Sequence, residues 1–158
     1  MPRDDQHVDG NADQWDRELD EWLARHGLHP DPNALPEIRA LLAEQAELER
    51  AAYADELDED VVADHELMKL LCTQLFGFGR LEDVPLIWYA KERSMDTAYA
   101  IDIQMLCGAG LEETETYLAA NGPGDALDYL RSCRAAGDFE GFTPAARMAE
   151  YERYYFGA

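Results

Sequence analysis

Lysine is nearly absent: Lys69 and Lys91 are the only two in 158 residues, and neither sits in a phosphate-cradling glycine loop. Phosphate chemistry of the P-loop kind is therefore excluded. No apolar run approaches the roughly 20 residues that a membrane span needs, and no apolar leader opens the sequence. The expected compartment is the cytoplasm, with no membrane among the partners. Cysteine is scarce and odd in number. Cys72, Cys107 and Cys133 stand too far apart for a Cys-x-x-Cys metal site, and three thiols cannot form a disulfide framework. They are expected to pack as small, reduced hydrophobes.

Metal and catalytic signatures are missing as well. His65-Glu66 opens a zinc-protease motif, but Leu67-Met68-Lys69 follows and the second histidine never arrives. His26 and His29 lie near Asp31 without further soft ligands. No pair of Glu-x-x-His helices exists for a di-iron centre. The acidic stretch Asp55-Glu56-Leu57-Asp58-Glu59-Asp60 lacks the central glycine and terminal glutamate of a calcium loop. Gly77-Phe78-Gly79 and Gly108-Ala109-Gly110 lack the third glycine of a dinucleotide loop and follow helical patterns where that loop follows a strand. No cofactor is expected.

What is present is negative charge, a net of −21, and it is uneven. Residues 1–66 hold 20 acidic and 5 basic side chains, net −15; residues 67–158 hold 14 and 8, net −6. Such a field repels nucleic acid and attracts basic proteins. Hydrophobic residues make up 47% of the chain, and a domain of this length buries roughly 70% of its unfolded surface without a metal or disulfide.

The apolar periodicity is helical. Residues 1–12 are polar and aperiodic and read as a disordered acidic tail. Trp15, Leu19, Trp22 and Leu23 then mark one face of a helix over about 13–26. Gly27 stops it, and Pro30 and Pro32 stiffen the connector. Asn33 is the expected cap of a second helix, with Pro36 in its first turn. Leu35, Ile38, Leu41, Leu42 and Leu48 form its apolar side, and Glu44, Glu47 and Glu49 its expected solvent side. These helices and the acidic linker make an N-terminal region of residues 13–60.

From Val61 an internal repeat begins, for an expected repeat region of 61–158. The run Gln74 to Asp83 (QLFGFGRLED) aligns with Gln104 to Glu113 (QMLCGAGLEE), and Ala90 with Ala120. Ala136-Gly137-Asp138-Phe139-Glu140 echoes Gly79-Arg80-Leu81-Glu82 as a fainter third copy. Glycines that accept a left-handed C-cap end the first helix of each copy. Acids then favour the start of the next. The expectation is three antiparallel hairpins: 61–78 with 83–93, 95–108 with 111–121, and 124–136 with 143–156. The segment Met95 to Leu106 reads as apolar almost all round and so as a central helix. Met148, Tyr151 and Tyr155 share a face that would close the stack as an aromatic cap.

This pattern resembles the helical-repeat proteins of the tetratricopeptide and HEAT kind in architecture. The likeness implies an all-α fold of about seven to eight helices, stacked as a short right-handed repeat with no sheet, and a role in binding proteins. The thirty-residue spacing is shorter than theirs and their signature positions are out of register, so no binding residue carries over.

The functional expectation is a non-enzymatic protein–protein interaction module that engages a basic protein. In a bacterial setting, to which the alanine-, arginine- and aspartate-rich usage points, an immunity- or antitoxin-like inhibitor fits. The candidate contacts are Trp15, Trp22, Glu44, Glu47, Asp58, Glu59 and Asp60. An alternative is an enzyme whose carboxylate groove joins Trp88, Asp96 and Asp102, with Arg93, Lys69 or a tyrosine available to pair a buried aspartate. An acidic DNA mimic is the last alternative. A homodimer formed by swapping the first two helices is also compatible with the connector.

Overall fold

The computed structural model describes residues 10–58 and 60–157, with side chains from Arg17 onward. The expected tail over residues 1–9, the Trp15 side chain and Glu59 lie outside the described residues. The chain is all-helical, with eight α-helices and no strand among the described residues.

Helix α1 (Gly10–His26) begins three residues earlier than its apolar pattern suggests, within the stretch expected as tail. It ends where Gly27, at φ 65°, turns its N–H back to the Leu23 carbonyl at 2.8 Å. Asp31, not Asn33, supplies the next cap. Its carboxylate accepts the Asn33 N–H at 2.8 Å and starts a 3-10 turn (Pro32–Ala34) that leads into α2 (Leu35–Tyr53). Leu35, Ile38, Leu42 and Ala46 of α2 are buried as the spacing requires. Glu49 departs from the expected solvent side: it is buried, for a reason given below.

Helix α3 (His65–Phe78) is the centre of the molecule. Every residue from Leu70 to Phe76 is buried, and α1, α2, α5, α8 and the 3-10 turn before α6 all pack on it. Asp64 caps its start, accepting the Leu67 N–H at 3.0 Å, and Gly79 ends it at φ 65°.

A 3-10 turn (Leu81–Asp83) leads to α4 (Val84–Lys91), and α5 (Met95–Ala100) follows with Ser94 and Thr97 as a capping box. The expected helix 95–108 is broken. Ile101 and Asp102 are extended, and a 3-10 turn (Ile103–Cys107) completes the segment. Only its second half is central: Ile101, Ile103, Met105 and Leu106 are buried in the core, whereas Met95 and Tyr99 are 81% and 92% exposed. At the break the buried Lys91 ammonium donates to the Ala98 carbonyl at 2.5 Å and also to the Ile101 carbonyl, satisfying acceptors that the interrupted helix leaves open.

Helices α6 (Leu111–Asn121), α7 (Gly124–Ala135) and α8 (Pro144–Phe156) complete the chain. Here the packing differs from a linear stack, in which each repeat touches only its neighbours. Helix α7 packs on α6, while α8 returns to α3. Met148, Tyr151 and Tyr155 do face inward: Tyr151 meets the Phe76 ring edge-on at 5.4 Å, and Met148 lies against Gly77. They cover the central helix instead of the end of a stack.

The repeat nonetheless has a physical counterpart. The glycine turns of its first two copies lie against each other, the Gly108 backbone on Phe76 and Gly79. A methyl group on Gly108 would collide with the Phe76 carbonyl oxygen, so glycine is required there by close approach, not by its backbone angles. The three cysteines are free and buried. Burial pushes the Cys107 thiol up to about 12, so it stays protonated.

Candidate partner-binding groove

An open cavity of about 590 Å³ lies between α1 and α2, with Leu67 of α3 also in its lining. From α1 come Glu18, Glu21, Trp22 and Arg25, spaced i, i+3, i+4 and i+7 so that one helix face presents them together. From α2, Leu41, Glu44 and Gln45 form the opposite wall. Three carboxylates thus share one opening. Arg25 does not neutralise them, because its guanidinium pairs with Glu37 at 2.9 Å and lies 5.3 Å from the Trp22 ring centre. Neither Glu21 nor Glu44 has a cationic partner among the described residues.

Trp22 is half-buried and held from below. Its indole N–H donates to the Gln74 carboxamide oxygen at 3.0 Å, and the Gln74 amide donates to the Gly27 carbonyl at 2.7 Å. Gln74 is fully buried, so one side chain of α3 fixes both the aromatic ring and the end of α1. Its repeat counterpart Gln104 donates to the Asp138 carbonyl at 2.9 Å in a more exposed setting.

Asp64 lies behind the groove wall and is bonded to two of its lining residues. Its backbone N–H donates to Gln45 at 2.8 Å and its Oδ1 accepts from Leu67, both groove residues. Its Oδ2 is buried without a close donor among the described residues, although the Glu66 backbone N–H also favours the ionised carboxylate. Burial raises the Asp64 carboxyl above its ordinary range, with the nearby charges of Glu18 and Glu66 adding to the effect.

Of the residues named from sequence, only Trp22 and Glu44 come together here. Glu47, three positions on, faces α4 instead: it pairs with Arg50 at 2.7 Å and accepts from the Tyr89 hydroxyl at 3.5 Å. Asp58 and Asp60 are exposed in the α2–α3 loop. The alternative carboxylate groove does not assemble. Trp88 is buried beside Tyr129, Asp96 is exposed in the first turn of α5, and Asp102 turns to Arg147 at 3.5 Å and the Tyr151 hydroxyl at 3.4 Å on α8. Arg93, one of the partners expected for Asp102, lies over the Tyr89 ring at 3.7 Å.

Two polar clusters were not foreseen from sequence. Glu49 is buried because His65 at 2.7 Å and the Ser94 hydroxyl at 2.6 Å both bond its Oε2. Serine, glutamate and histidine are present, but the carboxylate stands between the other two. The histidine therefore has no hold on the hydroxyl proton, and the cluster ties α2, α3 and the α5 cap together. Lys91 is the second cluster, with its pKa lowered by burial.

Reasoning from sequence missed Glu18, Glu21 and Asp64. The i, i+3, i+4 spacing of Glu18, Glu21 and Trp22 was a usable signal for the first two, whereas Asp64 is brought to the groove by tertiary packing alone. No three His, Cys, Asp or Glu side chains among the described residues are arranged to hold a metal. No described helix is long and apolar enough to cross a membrane. No protein-family model matches the chain, and neither the curated proteins nor the solved structures yield a match.

Proposed function

We propose that the protein is a non-enzymatic binding module for a basic protein, engaged through the α1–α2 groove. One observation carries the reading: Glu21 and Glu44 face the same opening without a cationic partner among the described residues, while Arg25, Arg39 and Arg50 are committed to other carboxylates. Arg25 is held by Glu37, Arg39 by Asp83 at 2.7 Å, and Arg50 by Glu47 and Glu56. Exposed acids left uncompensated beside a half-buried tryptophan suit an interface in which charge steers the approach and an aromatic ring adds contact area. An immunity- or antitoxin-like inhibitor is the form this takes if the basic partner is itself an active protein. Fast, salt-sensitive association is what such an inhibitor needs.

The test is zero-length carbodiimide cross-linking of carboxylates to partner lysines in a lysate of the native host, at low and raised salt. The expected product joins Glu21 or Glu44 to one basic protein and is lost as salt rises. Cross-links confined to other carboxylates, or insensitive to salt, would overturn the reading.

A further inference from the structure

The structure assigns Lys69 as the one ε-amino group of this chain open to acyl transfer, and the Tyr154 ring beside it as the contact that acylation releases. The donor it suits is a neutral acyl thioester, because a net charge of −21 repels anionic ones.

Composition narrows the choice first. Two of the thirteen basic side chains are lysines and the rest are arginines, so the chain offers only two ε-amines, Lys69 and Lys91. Lysine, not arginine, is the residue that acylation takes. Burial then removes one of the two. Lys91 is 5% exposed, and its ammonium is tied to the Ala98 and Ile101 carbonyls inside the fold. That burial also lowers its pKa, so by proton loss alone Lys91 would be the readier nucleophile. Access and proton loss thus point to different lysines, and one reaction separates them.

Lys69 is half-buried on α3, and its Nζ lies 4.0 Å from the centre of the Tyr154 ring on α8. No carboxylate among the described residues pairs with it, in a chain of 34 acidic side chains. Tyr154 is 56% exposed, and its hydroxyl donates to Glu66 at 3.2 Å, one turn before Lys69. Lys69 therefore holds the ring by its face and Glu66 by its hydroxyl. Leu67, which lines the α1–α2 groove, is two residues from Lys69 and so on the far side of α3.

In the reaction the neutral Lys69 amine attacks the thioester carbonyl carbon. The N–C bond forms, the C–S bond breaks, and the thiol leaves with one amine proton. The product amide carries no charge, so the cation–π contact with Tyr154 is lost and Glu66 alone holds the ring.

The experiment treats the folded full chain with the neutral thioester N,S-diacetylcysteamine at mildly alkaline pH and follows each lysine by peptide mass spectrometry. Lys69 is expected to be acetylated, with Lys91 at least about a hundredfold slower, because it reacts only when the fold opens. In denaturant both should react. The second readout is the Tyr154 ring signal in carbon-13 NMR. It should shift on acetylation and shift the same way in Lys69→Gln. Lys69→Arg keeps a cation at the ring, so the signal should stay near its wild-type position while position 69 accepts no acetyl group.

Acetylation of Lys91 at a rate comparable with Lys69 would overturn Lys69 as the one open amine. A folded chain in which neither lysine reacts would overturn it too. An acetylated Lys69 with an unmoved Tyr154 signal would overturn the ring contact as what acylation releases.

Discussion

Helix α3 and the segment Met95–Cys107 carry their shared motif thirty positions apart, yet one is a continuous helix of 14 residues and the other breaks after six. Both end at glycine turns that pack on each other, and both place a glutamine in the same register. The difference lies in what surrounds them. Helix α3 is enclosed on several sides, so its backbone has only itself to bond with and stays helical. The later segment has Lys91 at its flank, and the ammonium satisfies two carbonyls that the interrupted helix leaves open. Similar local sequence sets the turn; the neighbours decide whether the helix before it survives.

The most severe way to break this comparison is at the contact between the two turns. Gly108→Ala places a methyl group against the Phe76 backbone, which cannot move without shifting the end of α3. The expected loss is about 3 kcal/mol or more, a large part of a typical domain's stability, read by chemical denaturation.

Next in size is the pair of glutamines. Gln74→Ala strands the Trp22 indole N–H and the Gly27 carbonyl together and should cost about 2–3 kcal/mol. It should also loosen α1, seen as faster amide exchange over Arg17–His26. Gln104→Ala loses one bond near solvent and should cost under about 1 kcal/mol. Equal costs would mean that the repeat, and not burial, sets the role of this position.

Lys91→Met removes the cation that satisfies the carbonyls at the end of α5 and should cost about 1–2 kcal/mol, because two carbonyls lose their donor while one buried charge disappears. Its pH signature is more specific. Burial lowers the Lys91 pKa below 10.5, so between the lowered value and 10.5 the unfolded chain holds more protons than the native one. Stability should therefore rise as pH climbs through that window. The Met variant, followed by thermal unfolding across the same range, should lose this rise.

These positions also mark how far the sequence was legible. The helices could be read because glycines act locally: Gly27 and Gly79 end their helices where the pattern says they should. The inward face of α8 followed from spacing alone. The central helix did not. Met95–Leu106 was read as one helix, but only Ile101, Ile103, Met105 and Leu106 reach the core, and no local signal reveals that the chain turns extended between them and Met95 or that Lys91 will bond the carbonyls there. Glu49 fails for the same reason, since its burial depends on Ser94 and His65 from other elements. In the groove, Trp22 and Glu44 were legible as an aromatic and an acid on amphipathic helices. Glu47 was drawn with them because residues three apart share a helix face, but Arg50 and the Tyr89 hydroxyl engage its carboxylate on the α4 side.

Asp64, the buried cap of α3, gives the smallest effect at neutral pH. Its folded pKa lies above 3.8, raised by burial first and by the charges of Glu18 and Glu66 after that. Between 3.8 and the raised value the native state holds more protons than the unfolded chain, so this group's contribution is fully present below 3.8 and is lost as pH rises through the folded pKa. Asp64→Asn should therefore leave the molecule at least as stable as wild type at neutral pH, because the cap is retained and the buried charge is gone. It should also flatten the fall in stability across the acidic window, measured by denaturant titration at successive pH values.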